Sequence, residues 1–464
     1  MRILYAASEV YPFSKTGGLA DVAGALPGQL ASLGHEVVVV TPWYAGLQAR
    51  PYWIGDVSVP FDGRFVSAGI GTLEKDGVSY AFVGHPDFSR ERLYGYPDDV
   101  RRFSLFTRAI PQAAERLGFK PDLVHVNDWH SACLPLVLNQ GWHLPEGFSG
   151  LPSLLTIHNV QYQGESGLDE TTWWLRLPRE ARDSWLNRLG GANALQAGLG
   201  AATRVNTVSP SYAREIQQPT YGYGLDASLR EVARQGRLSG ILNGLDTNVW
   251  NPATDAALPR PFTAADCGSG KEQAKQLLCR RFRLDPDRPL IGAVSRLADQ
   301  KGMDIMLAAV PELLRQGWSI FVLGSGDPVL EEAFSGLAMS EEQLAARIGF
   351  DEQLAHLAYA ASDLFLMPSR FEPCGLSQMI AMRYGSLPLA RRTGGLADSI
   401  EHLKTGFLFD DSSSDSLLAA AGLAAGMYGT AGFAAMQQSA MARDFSWEAA
   451  ARRYGELYSV ILQS

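Results

Sequence analysis

The chain has 464 residues, 46% of them hydrophobic and 19% charged, which is enough for two or three globular domains at about 150 residues each. A formal net charge of −9 argues against a general nucleic-acid binder, which carries a basic surface and a high pI. Four cysteines (Cys133, Cys267, Cys279 and Cys374) form no C-x-x-C pair, so neither a zinc motif nor a redox motif is indicated, and so few in so long a chain suit a reducing compartment. The first residues, MRILYAASEVYPF, lack the apolar core of a secretory signal. No apolar run reaches about 18 residues, so a cytoplasmic protein without a membrane partner is expected.

Arg2–Ala6 and Glu36–Thr41 read as strands. Between them Val22, Leu26, Leu30 and Leu33 recur at helical spacing. Pro27 is expected to open a second helical segment, and Gly34 to cap its end. Strand, glycine-rich turn, helix and strand make a βαβ unit. The segment from Ala45 to Phe88 alternates and is rich in Gly and Asp, which predicts hairpins inserted after the second strand. Short apolar runs at Leu123–Val126, Leu154–His158, Arg204–Val208 and Leu238–Leu242 predict strands of a parallel sheet covered on both faces.

Residues 1–242 therefore form a first domain, and the polar stretch 243–255 (NGLDTNVWNPATD) reads as a linker. A second α/β series, 256–446, has strands at Leu290–Val294, Ile320–Leu323, Leu364–Met367 and Leu387–Ala390. DSSSDS at Asp411–Ser416 reads as a solvated loop. The chain ends in a helix over about 447–464.

TGGLAD occurs at Thr16–Asp21 and again at Thr393–Asp398. Adjacent glycines let backbone approach a ligand, and free N–H groups at a helix start attract anions. Only seven of the 40 basic residues are lysine, and one of them, Lys15, immediately precedes the first loop, where a point charge suits phosphate. SRLADQKGMD (Ser295–Asp304) places Arg296 and Lys301 beyond the carboxyl end of a strand, where open α/β sheets bind ligands. Two cations there suit a diphosphate. In SRFEPCGLSQ (Ser369–Gln378), Glu372 lies in a turn constrained by Pro373 and Gly375, where its carboxylate can accept from sugar hydroxyls. IHN puts His158 and Asn159 at a strand end, and NDWH does the same for Asp128, Trp129 and His130. A metal held by His125, Asp128 and His130 would lack any recognised spacing. CGSGKE (Cys267–Glu272) imitates part of a phosphate-binding loop, but Glu272 replaces the needed Ser or Thr. Asp285-Pro286-Asp287 reads as a turn. Neither glycine loop follows G-x-G-x-x-G, which disfavours a dinucleotide oxidoreductase.

Taken in order, KTGGLADV, DWH, IHN, QYQG, NGLD, SRL, QKG, SRFEPCGL and RRTGGLAD resemble the bacterial glycogen synthases and plant starch synthases, along nearly the whole chain. The resemblance implies a GT-B fold, with two Rossmann-like domains facing across a cleft and the last helix returning to the first domain. It implies a retaining transferase that needs no metal or other cofactor and adds glucose from ADP-glucose to the non-reducing 4-hydroxyl of an α-1,4-glucan. By motif, Arg296 and Lys301 would hold the donor phosphates with Gly17 and Gly18 beside them and Lys15 at the same end. Glu372, with Cys374, Gly375 and Leu376, would bind the donor glucose. Thr393, Gly394 and Gly395 would face the donor, and His158 would meet the glucose near its reacting carbon. Asp21, Tyr94, Asp128, Trp129, His130, Asn159 and Asn243 would place the glucose or the acceptor.

Two features qualify this reading. The second acid of the E-x7-E pattern found in related transferases is Ile380 here, as the glucan synthases also lack it. Phe350 stands where a tyrosine often stacks on adenine; a phenyl ring still stacks but offers no hydroxyl. The alternatives are a related transferase using UDP-glucose or making a short oligosaccharide, and a glucan-binding homologue without activity.

Overall fold

The computed structural model describes residues 1–463. They fall into two compact units, 1–244 with 447–463, and Leu245–Ser446. The first unit carries strands β1 (Arg2–Ala6), β2 (Glu36–Pro42), β3 (Tyr52–Phe61), β4 (Arg64–Lys75), β5 (Val78–Gly84), β6 (Leu123–Asn127), β7 (Ser153–Ile157), β8 (Glu165–Gly167), β9 (Asn187–Arg188), β10 (Gly191–Asn193), β11 (Arg204–Thr207) and β12 (Leu238–Gly240). One nine-stranded sheet runs β12-β11-β7-β6-β1-β2-β5-β4-β3, and β8, β10 and β9 form a small separate sheet.

The apolar runs in β1, β2, β6 and β7 are buried on both faces and pair in parallel, with Tyr5 opposite both Val39 and His125, as a doubly covered sheet requires. The stretch from Tyr52 to Gly84 is the predicted hairpin material. There β4 pairs antiparallel with β3 and β5, and β5 joins β2 in parallel. β3 and β4 mix exposed and buried positions, as an antiparallel edge with one wet face should.

Pro27 does not divide the first helix, contrary to expectation. One helix runs Gly18–Ser32 with Pro27 inside it. An interior proline costs about 3 kcal/mol, but Leu19, Val22, Ala23, Leu26, Pro27 and Leu30 form one continuous buried stripe. Full burial of each large side chain contributes about 1.5–3 kcal/mol, and breaking the stripe would forfeit several. Gly34 ends the helix at φ +88°, with the His35 N–H on the Leu30 carbonyl at 3.1 Å, a Schellman-type stop.

The last helix, Trp447–Gln463, belongs to the first unit. Its buried face (Trp447, Ala450, Ala451, Tyr454, Tyr458, Ile461) recurs every three or four residues and joins the core of the helix Gly18–Ser32. Both tyrosine hydroxyls are satisfied, Tyr458 by His125 Nδ1 at 2.8 Å and Tyr454 by the Asn206 amide at 3.1 Å.

The second unit is built on an all-parallel sheet of β13 (Leu290–Val294), β14 (Ser319–Gly324), β15 (Leu344–Ile348), β16 (Leu364–Met367), β17 (Leu387–Arg391) and β18 (Phe407–Phe409), ordered β15-β14-β13-β16-β17-β18. Strands β15 and β18 were not expected from the sequence.

Two further expectations are corrected. Ser413 caps a helix that begins at Ser414 by accepting from the Ser416 N–H, so DSSSDS is only half loop. Nor do residues 245–255 form a free linker. Leu245 is buried and donates to the Phe445 carbonyl at 2.6 Å, and buried Asp255 accepts from Tyr384 at 2.5 Å and meets His356 Nδ1 at 2.7 Å. Trp250 stacks on His356 at 4.1 Å. The polar residues that made this stretch look solvated are bonded inward. No single helix among the described residues is long and apolar enough to cross a membrane.

Candidate active site

In the second unit every strand is parallel, so every carboxyl end, and the loop after it, lies along one edge. Arg296 follows β13, Phe350 follows β15, Glu372 follows β16 and Thr393 follows β17. Lys301 ends a short 3-10 turn, closed by Gly302 at φ +65°, whose added β-carbon would lie 2.0 Å from the Pro368 carbonyl oxygen. Only glycine permits this approach. It brings Lys301 Nζ to 2.5 Å from Glu372 Oε2. Glu372 is buried, with Ser369 Oγ donating to the same oxygen at 3.2 Å. A cavity of about 240 Å³ opens beside them, lined by Ser295, Arg296, Lys301, Ser369 and Ser377 over an apolar floor. Arg296 donates to Gln300 Oε1 at 3.2 Å.

The turn carrying Glu372 is held by the second TGGLAD loop. The Gly395 N–H donates to the Glu372 carbonyl at 3.0 Å. An added β-carbon at Gly395 would sit 1.9 Å from the Cys374 carbonyl oxygen. Gly375 takes φ +72°, and Gln378 bridges the Cys374 and Gly375 carbonyls. Leu376 caps the helix Ser377–Arg383, and Thr393 precedes the helix Gly394–Ser399. Phe350 is set apart from this cluster, 89% exposed on the turn after β15.

The first unit gathers its candidates along the carboxyl ends of β1, β6 and β7. Lys15 Nζ lies 2.6 Å from Asp21 Oδ1 and 5.3 Å from the centre of the Tyr11 ring. The first glycine loop is not an open anion cradle. Buried Glu9 already occupies it, accepting from the Thr16 N–H at 2.5 Å and the Thr16 hydroxyl at 2.8 Å, with the Gly17 N–H as a further donor. Of the two loop glycines only Gly18 faces open space. Burial raises the Glu9 carboxyl above its ordinary range despite these bonds. A lone acid after the first strand carried no motif, so Glu9 was missed.

Asp128, at φ +51°, turns its carboxylate back to the amides of His158 (2.7 Å) and Asn159 (3.4 Å). Burial pushes its carboxyl up to about 7, while burial holds the His158 imidazole neutral down to about pH 3. The tautomer follows from the bonds. Asn127 gives its amide N–H to the Ala6 carbonyl at 3.0 Å, so its Oδ1 must accept from His158 Nε2 at 2.9 Å, leaving Nδ1 as the acceptor. Asn159 Oδ1 accepts from the Gln161 N–H.

His130 stacks between Trp129 (4.2 Å) and Tyr94 (4.8 Å). Burial, with Arg102 nearby, lowers its pKa to about 3. Tyr94 shares a 2.7 Å hydrogen bond with Ser8. Asn243 is buried, and its Oδ1 has no hydrogen-bond partner among the described residues. His125 is spent between Tyr458 and Thr156 (2.8 and 2.7 Å) and does not converge with Asp128 and His130. No group of three His, Cys, Asp or Glu among the described residues could hold a metal. Lys271 of the phosphate-loop imitation is buried, with its ammonium on the carbonyls of Ala360, Ser362 and Tyr384 and on Ser386 Oγ, a structural bolt.

Residues 2–231 match the family model of the starch synthase catalytic domain, and residues 288–424 that of glycosyl transferases group 1. The chain is 45% identical to the glycogen synthase of Deinococcus radiodurans over 99% of both chains, and 43% identical to that of Thermus thermophilus, again over 99% of both. The chain belongs to the glycogen and starch synthase family. The solved catalytic domain of Arabidopsis thaliana starch synthase IV, bound to ADP and acarbose, superposes with a TM-score of 0.88 at 33% identity over 100% of this chain and 99% of that one. Sucrose-phosphate synthase of Thermosynechococcus elongatus (TM-score 0.63, 18% identity, over 100% of this chain and 99% of that one) shares the fold alone. The two α/β units thus have the GT-B fold, and the chain is a glycosyltransferase of glucan synthesis.

Proposed function

We propose that the donor is ADP-glucose and that glucose passes, with retention, to the non-reducing 4-hydroxyl of an α-1,4-glucan. The observation that carries this reading is the Lys301–Glu372 pair beside Arg296 at the rim of a polar cavity. On donor binding, Lys301 exchanges its carboxylate for phosphate. Glu372, released from the ammonium, turns its acceptor oxygens to the glucose hydroxyls. Arg296 and Lys301 meet the negative charge that grows on the departing diphosphate, the kind of stabilisation that does most in a water-poor site. With that charge matched by two cations, no metal or other cofactor is part of the reading. Phe350 offers its exposed ring to the adenine, and Gly394 and Gly395 keep the Glu372 turn in place.

On the first unit, Lys15 and Asp21 form a second pair that a phosphate or hydroxyl can open. Neutral His158 acts as a hydrogen-bond partner of the sugar and not as an acid at neutral pH. Asp128, Trp129, His130, Tyr94, Asn159 and Asn243 shape the acceptor side. With its four cysteines free and buried, the enzyme suits the reducing cytoplasm. The test is a competition of ADP-glucose against UDP-glucose with a glycogen primer. Preferential ADP release supports the reading, and preferential UDP release overturns the donor assignment.

A further inference from the structure

A further cavity of the second unit, about 200 Å³ in volume, shares no lining residue with the one beside Glu372. Its walls are the two segments by which the chain enters and leaves that unit. Leu245 and Thr247 come from the first segment, and Asp444 and Phe445 from the second. The two are joined backbone to backbone, since Leu245 pairs in parallel with Ser446 and its N–H donates to the Phe445 carbonyl at 2.6 Å. Arg383 and Arg443 also line the cavity. Arg383 is the last residue of the helix Ser377–Arg383. It is half-buried, and its Nε is shut off from solvent with no hydrogen-bond partner among the described residues.

Stranding a charged donor away from water is costly, so an acceptor belongs beside Arg383. No described residue supplies it. Asp444 is the one acid of the lining, and its Oδ1 takes the Ser446 N–H at 2.9 Å. Neighbouring Asp246 turns its Oδ1 to the N–H groups of Asn248 and Val249, at 2.9 and 3.3 Å. Arg443 is paired with Glu401, but that carboxylate also serves Lys404. Two cations thus face one acid across the cavity, and one positive charge is unmatched. The volume narrows the occupant. It lies below the roughly 300 Å³ at which small-molecule sites begin, too little for a nucleotide or a sugar chain and ample for an oxyanion of a few heavy atoms. Guanidinium donors match phosphate oxygens in both geometry and charge. A water molecule would give Arg383 an acceptor but leave the charge unmatched.

We propose that this cavity is a site for a phosphate-class oxyanion, held by Arg383 and Arg443, which braces the two crossing segments against the helix Ser377–Arg383. Ser377, at the other end of that helix, lines the cavity beside Lys301 and Ser369, roughly 9 Å away along the axis at 1.5 Å per residue. The anion therefore sits at one end of a rigid element whose other end borders the Lys301–Glu372 pair. Its binding needs neither a sugar donor nor a glucan. A ligand held only by the formed pocket protects the backbone that builds it, by a factor set by its concentration relative to its Kd.

The experiment is hydrogen–deuterium exchange of the full chain with and without inorganic phosphate, at an ionic strength held constant with chloride. A few charge-assisted bonds give an expected Kd on the order of 1 mM. At ten times that concentration, exchange in peptides covering 245–247 and 441–445 should slow about tenfold. Arg383→Met should abolish the slowing. Thr247→Glu, at a half-buried lining position, supplies a carboxylate of its own. It should show slower exchange in these peptides without phosphate and no further response to it, which keeps the test open if Arg383→Met folds poorly. Phosphate taken up beside Lys301 would protect peptides 295–303 and 369–377 in all three proteins and is told apart by position. Loss of the slowing in either variant supports the proposal. No phosphate-dependent slowing at 245–247 and 441–445 in wild type, or slowing that survives both substitutions, overturns it and leaves water as the partner of Arg383.

Discussion

Replacement of Lys301 by Met separates the chemical from the structural duty of one ammonium. In the folded chain Lys301 keeps buried Glu372 company at 2.5 Å, with its own side chain 20% exposed and that of Glu372 7% exposed. Removing one partner of a fully buried pair costs about 3–5 kcal/mol. Here the lysine reaches solvent and Ser369 still donates to the carboxylate, so the expected loss of unfolding free energy is about 1–3 kcal/mol. The catalytic loss should be larger, since deleting one preorganised group that stabilises developing charge lowers kcat about 10²–10³-fold, or about 2.7–4 kcal/mol. The double variant K301M/E372Q removes the stranded carboxylate as well. It should recover most of the stability in urea unfolding yet show no recovery of nucleotide release. Near-normal turnover of K301M would refute the phosphate role. Equal stability of the single and double variants would refute the pairing.

Tyr458→Phe should cost about 1–3 kcal/mol in urea unfolding by stranding a buried ring nitrogen of His125, with turnover per folded molecule unchanged. Gly395→Ala should lower kcat more than tenfold, because its β-carbon would displace the Cys374 carbonyl and with it the Glu372 turn; steady-state assay of the folded variant checks this. The pH dependence of stability should carry opposed contributions. His130 and His158 titrate near 3 when folded, below their ordinary 6.5, so the unfolded chain binds more protons and stability falls as pH drops through 6.5, by up to about 1.4 kcal/mol per pH unit for each histidine. Asp128, raised to about 7, acts the other way, losing stability as pH rises from about 4 toward 7. Urea midpoints between pH 4.5 and 6.5 should therefore fall on acidification, less steeply in His130→Asn and more steeply in Asp128→Asn.

The strands that place the site were readable because they are fully covered. ILYA, VVVV, LVHV and LIGAV have no polar face to blur the pattern. β15 escaped because its later half is only partly buried, and β18 because three residues carry too little pattern. Pro27 misled for a different reason: local backbone preference was outweighed by a tertiary stripe that single-residue rules do not see. The 245–255 segment misled because Asp255 and Trp250 look like surface residues until His356 and Tyr384, about a hundred positions later, supply their partners.

Within the candidate site, motif order singled out Lys301, Glu372 and the glycine loops as candidates, and the structure adds the Lys301–Glu372 pairing. It could not reveal that Glu9 fills the first loop, since that contact depends on a turn between residues 9 and 16. The twin TGGLAD loops accordingly differ in local duty, the first satisfying a buried acid and the second fixing the turn that carries Glu372.

The central claim is tested most directly by incubating the enzyme with ADP-glucose and a maltooligosaccharide of defined length, measuring ADP release alongside product mass and linkage. One ADP released per added glucose, joined by an α-1,4 bond at the non-reducing end, is the predicted result. ADP release without chain growth, or growth through another linkage, would contradict it.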